Sequence, residues 1–258
     1  VEGRLSNLTK TINFACSRAN HMKTVITIAP KFKQFSSFVD SLPKVFNSEG
    51  TSIYKARNEI KNFEIDGTLF TVKGYKRPHI INRIAYSSFR QSKAKRAYDY
   101  ALRLLEKNIS TPEPVAYIEQ YECGLLCNSY FVSLFATESH LLRELHDYKV
   151  EGNEALLNAL AAYTAYIHER DVFPIDYSPG NVLFENEDGN FRFTLLDINR
   201  MQFRVVNQKM AAKSFRRFTM DQSLIGFIAK EYARIRGYEP TTFACEAIKH
   251  HTNFWKRR

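Results

Sequence analysis

The stretch Phe173-Pro174-Ile175-Asp176-Tyr177-Ser178-Pro179-Gly180-Asn181-Val182-Leu183-Phe184 decides the reading of this chain. An Asp is followed five positions later by an Asn, and then by an apolar run with strand character. Sixteen residues beyond Asn181 stands Asp197, within Leu195-Leu196-Asp197-Ile198-Asn199-Arg200. Asp-Tyr-Ser-Pro-Gly-Asn is good turn chemistry by itself, so a surface turn would use the same residues. The second acid at a fixed distance, with a hairpin between, asks for more. It pairs one carboxylate able to accept a proton with two hard oxygen donors suited to a divalent cation.

That set is what phosphoryl transfer requires. An acceptor hydroxyl must be held in line with a γ-phosphate, and a metal must neutralise charge on the β- and γ-oxygens. The spacing is that of a protein-kinase-like catalytic loop and metal-binding Asp. Asp176 would orient the hydroxyl and take its proton. Asn181 and Asp197 would hold Mg²⁺.

Upstream lies a strand-rich block. Ser52–Ala56 and Ile60–Ile65 read as strands, Asp66-Gly67 is a hairpin turn signal, and Leu69–Lys73 returns. Lys73 ends that returning strand, where a Lys would hold the α- and β-phosphates. Ser92–Lys107 reads as a helix, with Ala94, Tyr98, Ala101, Leu102 and Leu105 on one face. Asp99, near its middle, is the candidate ion-pair partner of Lys73. Lys95 and Arg103, at i−4 and i+4, also suit it to a plain surface ladder. The turn Lys55–Glu59 would cover a nucleotide. It has no glycine, so Arg57 or Asn58 would contact phosphate through side chains. No G-x-x-x-x-G-K sequence is present, which argues against a P-loop enzyme.

Val115–Glu119 and Tyr130–Phe135 read as two more strands. Phe32, Phe35, Phe38, Val39, Leu42, Val45 and Phe46 mark one helical face over residues 31–47, with Pro43 a kink or stop. Asn153–Glu169 is a strong amphipathic helix, followed by short strands at Val182–Phe184 and Phe193–Leu196. Helices are expected over Lys209–Arg217 and Ser223–Arg236, the latter capped by Asp221 and ended by Gly237. Five strands with one long helix, then mostly helices, give an α+β chain. The expected organisation is a disordered N-terminal extension over 1–21, a strand-rich nucleotide-binding lobe over 22–135 and a mostly helical lobe over 136–258.

The whole chain is consistent with this. At 258 residues, 44% hydrophobic and 25% charged, it can bury a core. Its net charge of +10 implies an anionic partner. Residues 73–107 hold ten Lys/Arg against Asp99 and Glu106, a local balance of +8. Tyr75, Tyr86 and Phe89 are interleaved with Lys76, Arg77, Arg83 and Arg90. The block reads either as a solvated face or as a landing surface for an anionic substrate or membrane. No stretch is long enough to span a bilayer and no apolar leader is evident, so a cytoplasmic location is expected. Cys16, Cys123, Cys127 and Cys245 form no metal pattern and are expected as free thiols.

Together, Tyr54-Lys55-Ala56-Arg57-Asn58, Val72-Lys73, Ser92–Arg96, Thr111–Tyr117, Asp176–Asn181 and Leu196–Arg200 resemble the bacterial lipopolysaccharide kinases, the Kdo/heptose kinases, in their compact Bacteroidetes-type form. The resemblance covers about residues 22–240. It implies a protein-kinase-like bilobal fold and an ATP- and Mg²⁺-dependent kinase. The implied acceptor is an inner-core sugar of lipopolysaccharide, Kdo or heptose on a lipid A precursor, at the cytoplasmic face of the inner membrane. It makes Asp176 the catalytic Asp, Asn181 and Asp197 the metal ligands and Lys73 the phosphate-binding Lys. Two departures stand out. Pro174 replaces the His common two positions before the catalytic Asp, and Asn199 replaces the Gly of an Asp-x-Gly turn. With no Ala-Pro-Glu after Asp197, a small or lipid-linked acceptor fits better than a peptide. The alternatives are a pseudokinase that keeps nucleotide binding, favoured by Pro174 and the Gly-free turn, and a basic nucleic-acid-binding protein. The latter leaves the Asp176/Asn181/Asp197 spacing unexplained and lacks any nucleic-acid motif, so no nucleic-acid partner is expected.

Overall fold

The computed structural model describes residues 22–56, 58–78, 90–219 and 221–257. The expected extension over 1–21, Arg57 and the aromatic–basic stretch 79–89 lie outside the described residues. Contacts group the chain into two compact units. One runs through Leu102 and takes in Pro112–Phe135. The other comprises Arg103–Thr111 and the chain from Ala136 onward.

The first unit is built on a six-stranded antiparallel sheet. Its strands are β1 (Met22–Ile28), β2 (Thr51–Lys55), β3 (Asn58–Ile65), β4 (Thr68–Tyr75), β5 (Pro114–Glu122) and β6 (Leu125–Leu134), in the order β1-β5-β6-β4-β3-β2. Sequence reading expected five strands. The sixth, β1, lies at the sheet edge and pairs only with β5, and its first three residues are exposed. Such a strand lacks the alternation that reveals a half-buried one. Two hairpins of this sheet close on an X-Gly pair, the first of them at the expected Asp66-Gly67. Asp66-Gly67 and Cys123-Gly124 both adopt positive φ, 49° and 73° in the first and 51° and 73° in the second. Right-twisted strands need such turns, and glycine supplies the second position without strain.

Phe32 and Phe35 sit in a 3₁₀ turn (Pro30–Phe35). Phe38, Val39 and Leu42 lie on α1 (Ser36–Val45), so the single expected helix is divided in two. Pro43 does not stop α1, which runs on for two residues. This aromatic face packs on one side of the sheet. Phe70 meets Phe35 edge-on at 4.8 Å and Phe38 at 5.3 Å, and Phe46 meets Tyr130 at 5.1 Å. Fully burying one such ring contributes about 1.5–3 kcal/mol. Gly74 is required here: a Cβ would stand 2.6 Å from the Phe46 ring. The helix α2 (Lys93–Glu106) begins with a Ser92 cap, whose Oγ accepts from the Lys95 N–H at 3.0 Å. Cys127 and Cys245 are free thiols, but Cys123 is disulfide-bonded, which corrects the expectation of four free cysteines.

The second unit is mostly helical. Its helices are α3 (Glu154–Glu169), α4 (Gln208–Ser214), α5 (Gln222–Arg236) and α6 (Pro240–Trp255). Short strands frame the loop of interest: β7 (His140–Leu141), β8 (Val172–Pro174), β9 (Val182–Glu187), β10 (Asn190–Leu195) and β11 (Met201–Phe203). The caps follow sequence. Asp221 accepts from the Ser223 N–H at 2.7 Å, and Gly237 closes α5 in the left-handed region. Sequence reading missed α6. Its signals were present: Glu239 accepts from the Thr241 and Thr242 N–H groups ahead of Pro240, and Phe243, Ala244, Ala247 and His251 form the buried face. The unit's core joins Phe215, Phe218, Tyr232 and Phe243, all fully buried.

Candidate functional site

Residues 172–203 form a self-bracing loop. β8 pairs with β11, setting Pro174 opposite Met201, and the Ile175 N–H donates to the Arg200 carbonyl at 2.9 Å. Pro174 has no N–H to give, so the bond from Ile175 carries the pairing onward. Backbone pairing thus supplies the loop geometry that the missing His left in question. Tyr177 then plunges inward. Its hydroxyl meets Thr164 Oγ1 of α3 at 3.1 Å, and its ring packs edge-on against Phe218 at 4.6 Å. Burial raises its phenol pKa well above the ordinary range. A buried anchor on one side turns the neighbouring Asp176 outward. The 3₁₀ turn Pro179–Asn181 closes with the Asn181 N–H on the Ser178 carbonyl at 2.9 Å.

The three oxygen-bearing residues meet in one place. Asp176, Asn181 and Asp197 all line one small concavity, together with Pro174, Tyr177 and Arg200. The Asn181 Nδ2 donates to the Asp176 backbone carbonyl at 2.9 Å. That bond uses the amide nitrogen and leaves the amide oxygen for another partner. The Leu196 N–H bonds the Asn181 carbonyl at 2.8 Å, tying the end of β10 to the turn. Asp197 follows in the left-handed region (φ 44°, ψ 53°), which swings its exposed carboxylate off the strand line. No cluster of three or more His, Cys, Asp or Glu suited to a metal exists among the described residues. Two oxygen donors beside a carboxylate do fit Mg²⁺, which takes few protein ligands and completes its shell with phosphate and water.

Arginines crowd Asp176. Arg217 forms an ion pair with its Oδ1, and the Arg200 Nη1 stands 3.8 Å from Oδ2. Arg216 donates to the Ile175 carbonyl at 3.2 Å. Burial, and then the charge of Arg200, lowers the Arg216 pKa. Sequence reading singled out none of the three for this site. They lie 24, 40 and 41 residues beyond Asp176, and only the packing of the turn after α4 brings the last two back.

In the strand-rich unit, Lys73 lies on β4 opposite Phe131 of β6, which in turn faces Tyr117 of β5. The Tyr117 ring meets Tyr98 of α2 at 5.3 Å, so Lys73 is on the α2 side of the sheet. Its ammonium stands 5.8 Å from the Tyr75 ring centre. Asp99 pairs with Lys95 one turn back at 3.2 Å and accepts from Gln91 at 2.9 Å. Asn58 opens β3, its carbonyl accepting from the Ala56 N–H at 3.0 Å. Sequence reading missed Glu119, a carboxylate 6% exposed on β5, two residues from Tyr117 and therefore on the same face as Lys73. It raises the neighbouring Tyr121 phenol, already pushed up by burial, to about 12.

The α+β architecture is of the protein-kinase-like class. The model of the lipopolysaccharide kinase (Kdo/WaaP) family matches residues 56–238, well over half of the chain, and the chain belongs to that family. Among solved structures, it is similar to WaaP in complex with acyl carrier protein. The TM-score is 0.62 at 16% identity, covering 89% of this chain and 98% of that one. A weaker similarity, TM-score 0.42 at 17% identity, is to a point mutant of the kinase domain of Mycobacterium tuberculosis PknI, over 69% of this chain and 72% of that one. No curated protein matches the sequence.

Proposed function

We propose that this protein transfers the γ-phosphoryl group of ATP to a hydroxyl of an inner-core lipopolysaccharide sugar, Kdo or heptose on a lipid A precursor. One observation carries the reading: Asp176, Asn181 and Asp197 line one concavity in a chain of this kinase family. Asp176 accepts the proton of the attacking hydroxyl. That oxygen bonds to the γ-phosphorus as the bridging bond to the β-phosphate breaks, and ADP leaves. The Asn181 amide oxygen and the Asp197 carboxylate hold Mg²⁺. The ion's chemistry, when bound, is charge neutralisation on the β- and γ-oxygens. Lys73 holds the α- and β-phosphates. Asp99, Arg57 and Asn58 complete the nucleotide side in this proposal, although Asp99 is also engaged by Lys95.

The acceptor is lipid-linked and anionic, so the proposal includes peripheral contact with the cytoplasmic face of the inner membrane. No helix among the described residues is long and apolar enough to cross one. Because the matched WaaP is held with acyl carrier protein, such a carrier is included as a candidate protein partner. Incubation with γ-labelled ATP, Mg²⁺ and a panel of lipid A–Kdo acceptors tests the reading. Label is expected on the glycolipid. ATP binding without transfer to any acceptor would replace the kinase by the nucleotide-binding regulator.

A further inference from the structure

We infer that Arg200, Arg216 and Arg217 form an anion subsite beside Asp176, which holds a phosphate or carboxylate of the acceptor while its hydroxyl is phosphorylated. This rests on the kinase reading above and names the chemistry its acceptor must carry. Arg217 forms an ion pair with the Asp176 carboxylate, the Arg200 Nη1 stands 3.8 Å from it, and Arg216 donates to the carbonyl of the adjoining Ile175. Arg216 is fixed by two carbonyls, those of Ile175 at 3.2 Å and Lys213 at 3.1 Å, and it carries the nearby charge of Arg200 unfavourably. Asp176 brings one negative charge to these cations, which leaves a surplus of positive charge that favours a further anion.

The surroundings add to the positive field. Lys209, Lys213 and Arg216 all lower the His250 pKa behind the desolvation of its ring, with Glu246 opposing at 3.7 Å. The Phe254 ring lies 5.4 Å from the Arg217 guanidinium and 5.9 Å from that of Arg216. An aromatic platform holds such groups by their faces and leaves their donor edges for a planar oxyanion. Arg200 is 62% exposed and lines the same concavity as Asp176, Asn181 and Asp197. An anion bridging Arg200 and Arg217 would therefore sit next to the reacting hydroxyl. It would also compete for Arg217 and loosen the ion pair that holds the Asp176 carboxylate, coupling acceptor binding to the availability of the base.

The test compares binding and turnover of the full chain and its Arg200→Gln variant. The probes are Kdo-bearing lipid IVA micelles, the same glycolipid stripped of phosphate by a phosphatase, and free Kdo, which carries only a carboxylate. The variant should bind the phosphorylated glycolipid about tenfold more weakly and show a matching rise in its acceptor KM. The KM for ATP should move less than twofold, and Arg200→Lys should recover part of the loss. A defect confined to phosphorylated micelles assigns the subsite to phosphate. A defect that persists with stripped glycolipid and free Kdo assigns it to carboxylate. Wild-type affinity of Arg200→Gln for all three probes would overturn the subsite. A wild-type chain that binds through Arg200 but phosphorylates nothing would keep the subsite and sink the kinase reading.

Discussion

The two halves of the proposed chemistry are positioned by different means. In the helical unit, Asp176, Asn181 and Asp197 lie within 22 residues, and short-range bonds fix them. These are Ile175 to Arg200, Asn181 to Ser178, and Leu196 to Asn181. In the strand-rich unit, Lys73 owes its place to register: Ile60 on one flank, Phe131 on the other, and Tyr117 beyond. A loop braced by its own backbone can exchange a side chain without losing its shape. A register is set by the whole sheet, and a single side chain on it can also be exchanged, but a shift of one residue would turn Lys73 to the opposite face.

The largest expected effect is on the loop. Asp176→Asn keeps the shape and removes the proton acceptor, so transfer should fall by about 10³-fold or more while folding and ATP·Mg binding persist. Near-normal turnover would remove Asp176 from the chemistry. Next in size, Lys73→Ala should cut transfer by about 10²–10³-fold and raise the KM for ATP, with no change in the sheet's circular dichroism. A variant weakened only in acceptor KM would mean that β4 presents Lys73 to something other than nucleotide.

The same contrast governs what could be read beforehand. The Asp-Tyr-Ser-Pro-Gly-Asn turn and the Asp66-Gly67 hairpin are local chemistry, and they stand where the residues place them. The strand that carries Lys73 was legible because a return after a hairpin is also local, although β4 runs on to Tyr75, two residues past the expected end. Three features escaped because no local signal carries them. β1 is an edge strand whose partner lies about 90 residues on. Glu119 is defined by the face it shares, and Arg216 and Arg217 reach Asp176 only through the packing of the turn after α4. Asp99 is the reverse case: its i−4 Lys was visible as a competitor, and that pair is formed.

A smaller effect separates the units by pH. His168 is buried on α3, with Nδ1 2.9 Å from the Tyr232 hydroxyl and Nε2 3.3 Å from Ser214 Oγ. Burial, with Arg236 nearby, lowers its pKa from 6.5 to about 3. The unfolded chain therefore binds one more proton between these values. His168 costs the fold nothing above pH 6.5 and weakens it as pH falls below, by up to about 1.4 kcal/mol per unit. His250, also lowered, acts in the same direction. No described residue of the strand-rich unit is a histidine. Trp255, the chain's single tryptophan, lies on α6 and reports the helical unit. Urea midpoints followed by its fluorescence should drop between pH 6.5 and 5, and His168→Gln should flatten that slope. An unchanged slope in the variant would place the titration elsewhere.

The smallest effects compare one cap in each unit. Ser92 is 1% exposed, and its Oγ is the acceptor for the Lys95 N–H at the start of α2. Asp221 is exposed and caps α5 through the Ser223 N–H and hydroxyl, both at 2.7 Å. Alanine at Ser92 leaves an N–H beside a buried position that water reaches poorly, so the loss should fall at about 1–2 kcal/mol. Alanine at Asp221 leaves donors that water can take up, so about 0.5–1 kcal/mol is expected. The two should also differ in readout. Asp221→Ala should move the Trp255 fluorescence transition, because α5 packs against α6 in the same unit. Ser92→Ala should show chiefly in far-ultraviolet circular dichroism, where the sheet and α2 contribute. Equal shifts in both signals for both variants would mean that the chain unfolds as one cooperative body and that the two units do not differ in how their stability is set.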